Sequence, residues 1–245
     1  MVINCVGDIT GYGKTLIELY NQLPSGEFWA LGDIVDRGPN SKLALDFLID
    51  NNHKAVMGNH DHMMLFSQIK FNEGVNPTLY HPMDWYDNGG FATLQSFDHN
   101  IDKKYFEFIN ELPLLQFKGG TLQMTHAPLV NHYDTDIYDL DELNKGWEKL
   151  RESVLWNRYP PKKIKGLFQV YGHNSSKGIK WHTDTNPQGM YSDVVPNDAW
   201  GCCIDTWREG YLTALSINTA KLPTIDEPNL KVSDAITIFK QRIID

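Results

Sequence analysis

The chain predicts an α/β fold, parallel in its first half and more antiparallel in its second, on three observations. Short apolar runs alternate with helix-period segments from Val2 to Lys70. Each of the first three runs closes on a Gly followed by a polar residue, in "VGD", "LGD" and "MGN". Beyond Gly119 the apolar runs follow one another with turns and loops between them.

Taken in order, Val2–Val6 is a short apolar run with the composition of a buried strand. Thr15–Leu23 has the period of a helix, and Pro24 ends it. Phe28–Leu31 is a second strand, followed by a helix over Ser41–Asp50. Lys54–Met57 is a third, followed by a helix over His60–Lys70. This βαβαβα order implies parallel strands joined by crossover helices. Leu112–Lys118 and Thr121–Thr125 read as strands around the Gly119-Gly120 turn, and Leu167–Tyr171, Gly201–Asp205 and Tyr211–Ile217 as further strands. The segment from Asp226 onward is ambiguous between strand and helix, and Phe71–Asp87, Pro128–Asp141 and His182–Trp200 have no clear period. With no internal repeat, the expectation is a single domain over 1–245.

Composition sets the functional frame. The 245 residues are 41% hydrophobic and 22% charged, ordinary for a globular protein, with a formal net charge of −9. No Lys/Arg run exceeds two residues, so the basic stripe that a nucleic acid backbone requires is missing. The opening "MVINCVGD" lacks the basic and apolar regions of a signal peptide, and no run approaches the roughly 18 apolar residues of a membrane span. Cys5, Cys202 and Cys203 cannot pair completely within one chain, which favours a reducing compartment. A soluble cytoplasmic protein is expected.

"GDITGYGKT" at Gly7–Thr15 ends like a P-loop, but a P-loop needs Gly where Asp8 stands, and a carboxylate there repels phosphate. A metal that attacks a phosphate is the alternative. Asp8 follows the first strand, Asp33 the second, and Asn59 with His60 the third; later runs end in His126 ("QMTHAPL") and His173 ("QVYGHNSS"). Loops beyond the carboxyl ends of parallel strands meet in one crevice. Each residue alone has a plain structural use, as helix cap, turn residue or core histidine; several at strand ends together point to a site.

The residue types suit two metal ions sharing one oxygen, with Asp33 as the bridge, and imidazole and amide donors suit Mn²⁺, Fe or Zn²⁺ better than Ca²⁺. Two ions about 3.5–4 Å apart generate hydroxide from water and hold a phosphoryl oxygen for in-line attack. Arg37 and Arg158 are fork-shaped phosphate donors, and His60 oriented by Asp36 has the makings of a general acid.

The ordered set "GDITG", "GDIVDRG", "GNHD", "THA" and "GHN" resembles the motifs of calcineurin-like metallophosphoesterases. "DNGG" at Asp87–Gly90, "ELPLL" at Glu111–Leu115, "VLWNR" at Val154–Arg158 and "CIDT" at Cys203–Thr206 narrow it toward phage lambda-type and bacterial serine/threonine protein phosphatases. The resemblance implies a four-layer α/β/β/α sandwich of two mixed sheets flanked by helices. It assigns Asp8 and Asp33 to the first metal and Asp33, Asn59, His126 and His173 to the second. Arg37 and Arg158 would bind phosphate, and His60 with Asp36 would protonate the leaving group.

One position departs from the pattern. Where the family has histidine, this chain has Thr10. The first site is left with hard oxygens, so it should be weak and favour Mg²⁺ or Mn²⁺. The leading expectation is a Mn²⁺-dependent phosphomonoester hydrolase acting on phosphorylated protein. Its alternatives are a diadenosine tetraphosphate hydrolase and a phosphate- or phosphopeptide-binding protein with weakened turnover. Trp85, Tyr86, Trp181 and Trp200 are candidates to stack on a base, with packing of loops as the other reading. Cys202 and Cys203 are expected in the core, the acidic Asp134–Glu142 as a solvated loop, and His53, His81, His99, His132 and His182 as surface or loop residues. His62 falls on a different helical face from His60.

Overall fold

The computed structural model describes residues 1–72, 85–129 and 154–245, with side chains in the first segment to residue 67. The first half forms as the periodicity requires: β1 (Val2–Val6), α1 (Gly13–Tyr20), β2 (Glu27–Ala30), α2 (Ser41–Asp50), β3 (Lys54–Ala55) and α3 (Asn59–Asn72). A π-turn at Tyr86–Gly90 leads into α4 (Phe91–Ser96) and α5 (Lys103–Asn110). The strands β4 (Leu115–Lys118), β5 (Leu122–Thr125), β6 (Phe168–Tyr171), β7 (Lys180–Thr183), β8 (Met190–Tyr191), β9 (Ala199–Cys203), β10 (Tyr211–Asn218) and β11 (Ile236–Arg242) follow.

Two mixed sheets result. In one, β11-β10-β1-β2-β3, the three strands nearest the N-terminus run parallel, and β10 runs antiparallel to both its neighbours, β1 and β11. In the other, β4-β5-β6-β9-β7-β8, a parallel centre of β5, β6 and β9 carries antiparallel strands on each side.

Strand alternation sends side chains to two cores. Ile3, Cys5 and Trp29 point to a core shared with Met124, Val170 and Cys202 of the second sheet, where Cys5 Sγ lies 3.3 Å from Met124 Sδ. Val6, Phe28 and Ala30 point the other way, onto Leu16, Leu19 and Leu45 of the helices. The expected sandwich of two mixed sheets flanked by helices is the fold, with Cys202 and Cys203 buried in it as expected.

The differences from the sequence reading have local causes. The final segment is a strand because β11 completes the first sheet beside β10. Part of the aperiodic stretch His182–Trp200 belongs to strands: β7 pairs antiparallel with both β8 and β9, although each is too short to show a period. Helix α5 is an element that the sequence reading lacks; Asp102 caps it by accepting from the Lys104 amide at 2.9 Å. Helix α1 starts earlier and ends at Tyr20, before the expected Leu23. Residues 73–84 and 130–141, the bulk of two aperiodic stretches, lie outside the described residues, as do Asp134–Glu142, His81 and His132.

Two of the three amides of "GKT" are already engaged. Those of Lys14 and Thr15 donate to Asp245 Oδ2 and Oδ1 at 3.0 and 2.7 Å, and Asn40 Nδ2 donates to Asp245 Oδ2 at 3.1 Å. A carboxylate of the chain itself occupies the amides that a P-loop offers to phosphate.

Candidate metal and phosphate site

The C-terminal edges of β1, β2, β3, β5 and β6 meet and bring Asp8, Asp33, Asn59, His126 and His173 together, all buried. Backbone geometry enforces the approach. Asp33 and His173 both have positive φ, 45° and 63°, which turns the chain sharply at the strand end. A Cβ on Gly172 would lie 2.0 Å from Asp8 Oδ1, so only glycine lets the His173 amide donate to that oxygen at 3.0 Å. Asp61, the last residue of "GNHD" and one with no role assigned from the sequence, ties two motifs together: its carboxylate accepts from the Gly58 and Ile34 amides at 2.9 and 2.8 Å.

The donor atoms converge. Asn59 Oδ1 lies 2.9 Å from both His126 Nε2 and His173 Nδ1; those two nitrogens are 3.2 Å apart, and His126 Nε2 is 3.3 Å from Asp33 Oδ1. Because a carbonyl only accepts, His126 Nδ1 carries the proton donated to Leu31 O at 2.8 Å, and Nε2 keeps its lone pair. Burial pushes the His126 pKa down and takes that of His173 to about 3, helped there by His126, so both imidazoles are neutral. Bonds of about 2.0–2.2 Å to a single ion put its neighbouring ligand atoms roughly 3 Å apart. These residues therefore fit a divalent transition ion in donor type, protonation and spacing. Asp8, Asp33 and His126 also form a buried triad whose donor atoms lie within 4.8 Å of one another.

Beside the donors stands the candidate acid. His60 Nδ1 donates to Asp36 Oδ2 at 2.7 Å, and Trp85 Nε1 and Thr93 Oγ1 donate to Asp36 Oδ1 at 3.0 and 2.7 Å. Trp85 and Thr93 lie far along the chain from the motif, and no spacing in the sequence marks them as site residues. Burial opposes a charged His60, but the Asp33 and Asp36 carboxylates outweigh it and raise its pKa. Arg37 Nη2 stands 2.6 Å from His60 Nε2 and donates to it, which keeps the ring neutral in this arrangement.

Arg37 and the exposed Arg158 line one cleft of about 370 Å³ over the candidate metal-binding residues. The Arg37 amide donates to Gly89 O at 3.2 Å, which explains "DNGG". Trp156, Tyr159, Tyr171, Tyr191 and Trp207 are the cleft's aromatic lining, and Lys180 and Arg208 add charge. Of the candidates to stack on a base, Trp85, Trp181 and Trp200 are buried and Tyr86 packs against the helix-side core, which bears out the packing reading, with Trp85 also donating to Asp36. His62 is buried; His53 is half-buried in the loop before β3, against Tyr20, Phe28 and Phe47, and His99 is exposed, so both are surface or loop residues as expected, whereas His182 is buried in β7. His182 Nε2 lies 2.6 Å from Tyr171 Oη.

The family model described as calcineurin-like phosphoesterase matches residues 1–190. A symmetrical bis(5'-nucleosyl)-tetraphosphatase of Neisseria gonorrhoeae is 30% identical over 136 residues, 51% of this chain and 42% of that protein. One from Aromatoleum aromaticum is 31% identical over 137 residues, 53% and 45% of the two chains. The chain thus matches less than half the length of either relative. Among solved structures, a metallophosphoesterase from Sphaerobacter thermophilus superposes with a TM-score of 0.56 at 13% identity, over 100% of this chain and 88% of that one. A protein serine/threonine phosphatase from Saccharomyces cerevisiae does so with a TM-score of 0.52 at 14% identity, over 100% and 81%. These two likenesses concern the fold alone. With the motifs, the sandwich and the convergent donors in agreement with the family match, the chain belongs to the calcineurin-like phosphoesterases.

Proposed function

We propose that this phosphoesterase hydrolyses the polyphosphate bridge of a dinucleoside polyphosphate, with Mn²⁺ held by Asp33, Asn59, His126 and His173. One observation carries the substrate class: the cleft over the buried donors is walled by both aromatic rings and cations. The Arg37 and Arg208 guanidiniums lie 4.9 and 5.1 Å from the Trp207 ring centroid. A polyphosphate requires the charges, and a base requires a ring to stack on. The names of the relatives point the same way.

The roles follow from position. Bound metal ions supply Lewis acidity toward the phosphoryl oxygens and lower the pKa of water. Arg37 and Arg158 grip the equatorial oxygens, Asp36 holds the His60 ring, and His60 Nε2 delivers a proton to the leaving oxygen. A phosphoprotein substrate is the second reading, favoured by "DNGG", "ELPLL", "VLWNR" and "CIDT".

Turnover of diadenosine tetraphosphate and of a phosphoserine peptide, each with added Mn²⁺, tests this. A clear preference for the dinucleotide, with ADP as product, is expected. Preference for the peptide would establish the second reading, and no turnover of either with intact phosphate affinity would indicate a binding protein.

A further inference from the structure

The first metal site lacks its family histidine, yet the space around Asp8 is not short of oxygen. Asp205, in "CIDT" just beyond β9, is 1% exposed and neither of its carboxylate oxygens has a hydrogen bond of good geometry. Its carboxylate lies within hydrogen-bonding reach of that of Asp8, and the charge of Asp33 acts on both. Thr10 Oγ1, fully buried in the loop after Asp8, is unpartnered as well. Two buried carboxylates in contact repel unless a proton or a cation stands between them.

Here the fold decides which groups meet. The pairing of β1 with β10 and of β6 with β9 brings the loop after β9 beside the loop after β1. The Asp205 carbonyl accepts from the Ser176 amide at 3.0 Å, which anchors its backbone beside the His173 loop. A Cβ on Gly7 would lie 2.4 Å from Ile204 O, so the two chains run in direct contact one residue before each aspartate.

We propose that Asp205 is a ligand of the first metal site, joining Asp8 and Asp33 in an all-carboxylate set that replaces the missing imidazole and takes a hard divalent ion, Mg²⁺ or Mn²⁺. The chemistry follows from the donors. Three anionic oxygens neutralise a hard dication, and they bind Zn²⁺ or Fe less selectively than a site with nitrogen does. This rests on the reading of the second site as a metal centre, and the test separates the two.

Mn²⁺ binding to the full chain, followed by the electron paramagnetic resonance signal of the free ion, gives the stoichiometry. Two ions are expected for the natural sequence. Asp205→Asn and Asp205→Ala should each keep the second-site ion and bind the other at least about tenfold more weakly. The asparagine variant distinguishes a ligand from a protonated acid that merely orients Asp8. Asn still donates a hydrogen bond to Asp8, so unchanged binding in that variant overturns the proposal. Mn²⁺-soaked crystals give an independent answer: an anomalous peak within about 2.0–2.2 Å of an Asp205 oxygen is expected. A peak between Asp8 and Asp33 that leaves Asp205 uncoordinated also overturns it. A chain that binds no Mn²⁺ at Asn59, His126 and His173 defeats the second-site reading and the proposal together.

Discussion

His126 Nδ1 donates to the backbone carbonyl of Leu31 across 2.8 Å, and this one bond links the ends of strands from different sheets. Leu31 follows β2 and His126 follows β5, so packing of the sheets fixes the tautomer that faces the site. His126→Ala should lose tight Mn²⁺ binding at the second site, by at least about ten- to a hundredfold. It should also leave the Leu31 carbonyl unsatisfied, at about 1–3 kcal/mol. Metal titration and denaturant unfolding of the metal-free protein read the two effects separately.

Asp36→Asn should move the alkaline limb of the kcat/KM profile to lower pH. The natural carboxylate is among the groups that raise the His60 pKa, and a general acid works only below its pKa. Removing that charge lowers the pKa, so activity is lost earlier as pH rises. Near the acid end of the profile the variant should approach the natural rate. A limb that stays in place would assign the proton to another group.

Gly89 has φ +111°, and a Cβ there would stand 2.9 Å from Arg37 N and Cγ. Gly89→Ala should therefore cost about 1–3 kcal/mol of stability through backbone strain. It should also weaken inhibition by inorganic phosphate, because Arg37 is displaced. Arg37→Ala sets the scale: loss of a hydrogen bond to a charged group is worth about 1.5–3 kcal/mol, a tenfold or larger rise in the inhibition constant. Thermal unfolding and phosphate inhibition provide the measurements.

Thr10→His should shift the curve of rate against Mn²⁺ to lower concentration and raise its plateau. Thr10 has φ 45°, a conformation that suits histidine better than a β-branched residue, and its buried hydroxyl makes no hydrogen bond. The backbone there can therefore carry an imidazole without new strain. In an Asp205→Asn background the gain should be larger, since the new ligand then replaces a lost one. Superimposable curves for the natural protein and the Thr10→His variant would mean that the loop serves another purpose.

Much of the site was legible in the sequence because its parts are local. Asp8, Asp33, Asn59, His126 and His173 each sit at the end of a short apolar run, where a parallel strand delivers its next residues to a common edge. The parallel first half could be read for the same reason, since its first two strands precede helices of clear period. Strands β7 and β8 carry no such signal, because four- and two-residue elements are defined by their partners.

Tertiary structure decided what lies between the motifs. Trp85 and Thr93 reach Asp36 only because the helices after the π-turn pack over the second motif. Asp245 fills the α1 N-terminus because β11 runs alongside β10 and ends there. Asp205 meets Asp8 through sheet pairing between segments at opposite ends of the chain, a proximity that no local spacing records. The sequence by itself determined the fold class and the strand-end donors, since both follow from short-range pattern. Which rings line the cleft, which aspartate faces Asp8 and which carboxylate caps α1 depend on long-range packing, and only the folded chain specifies it.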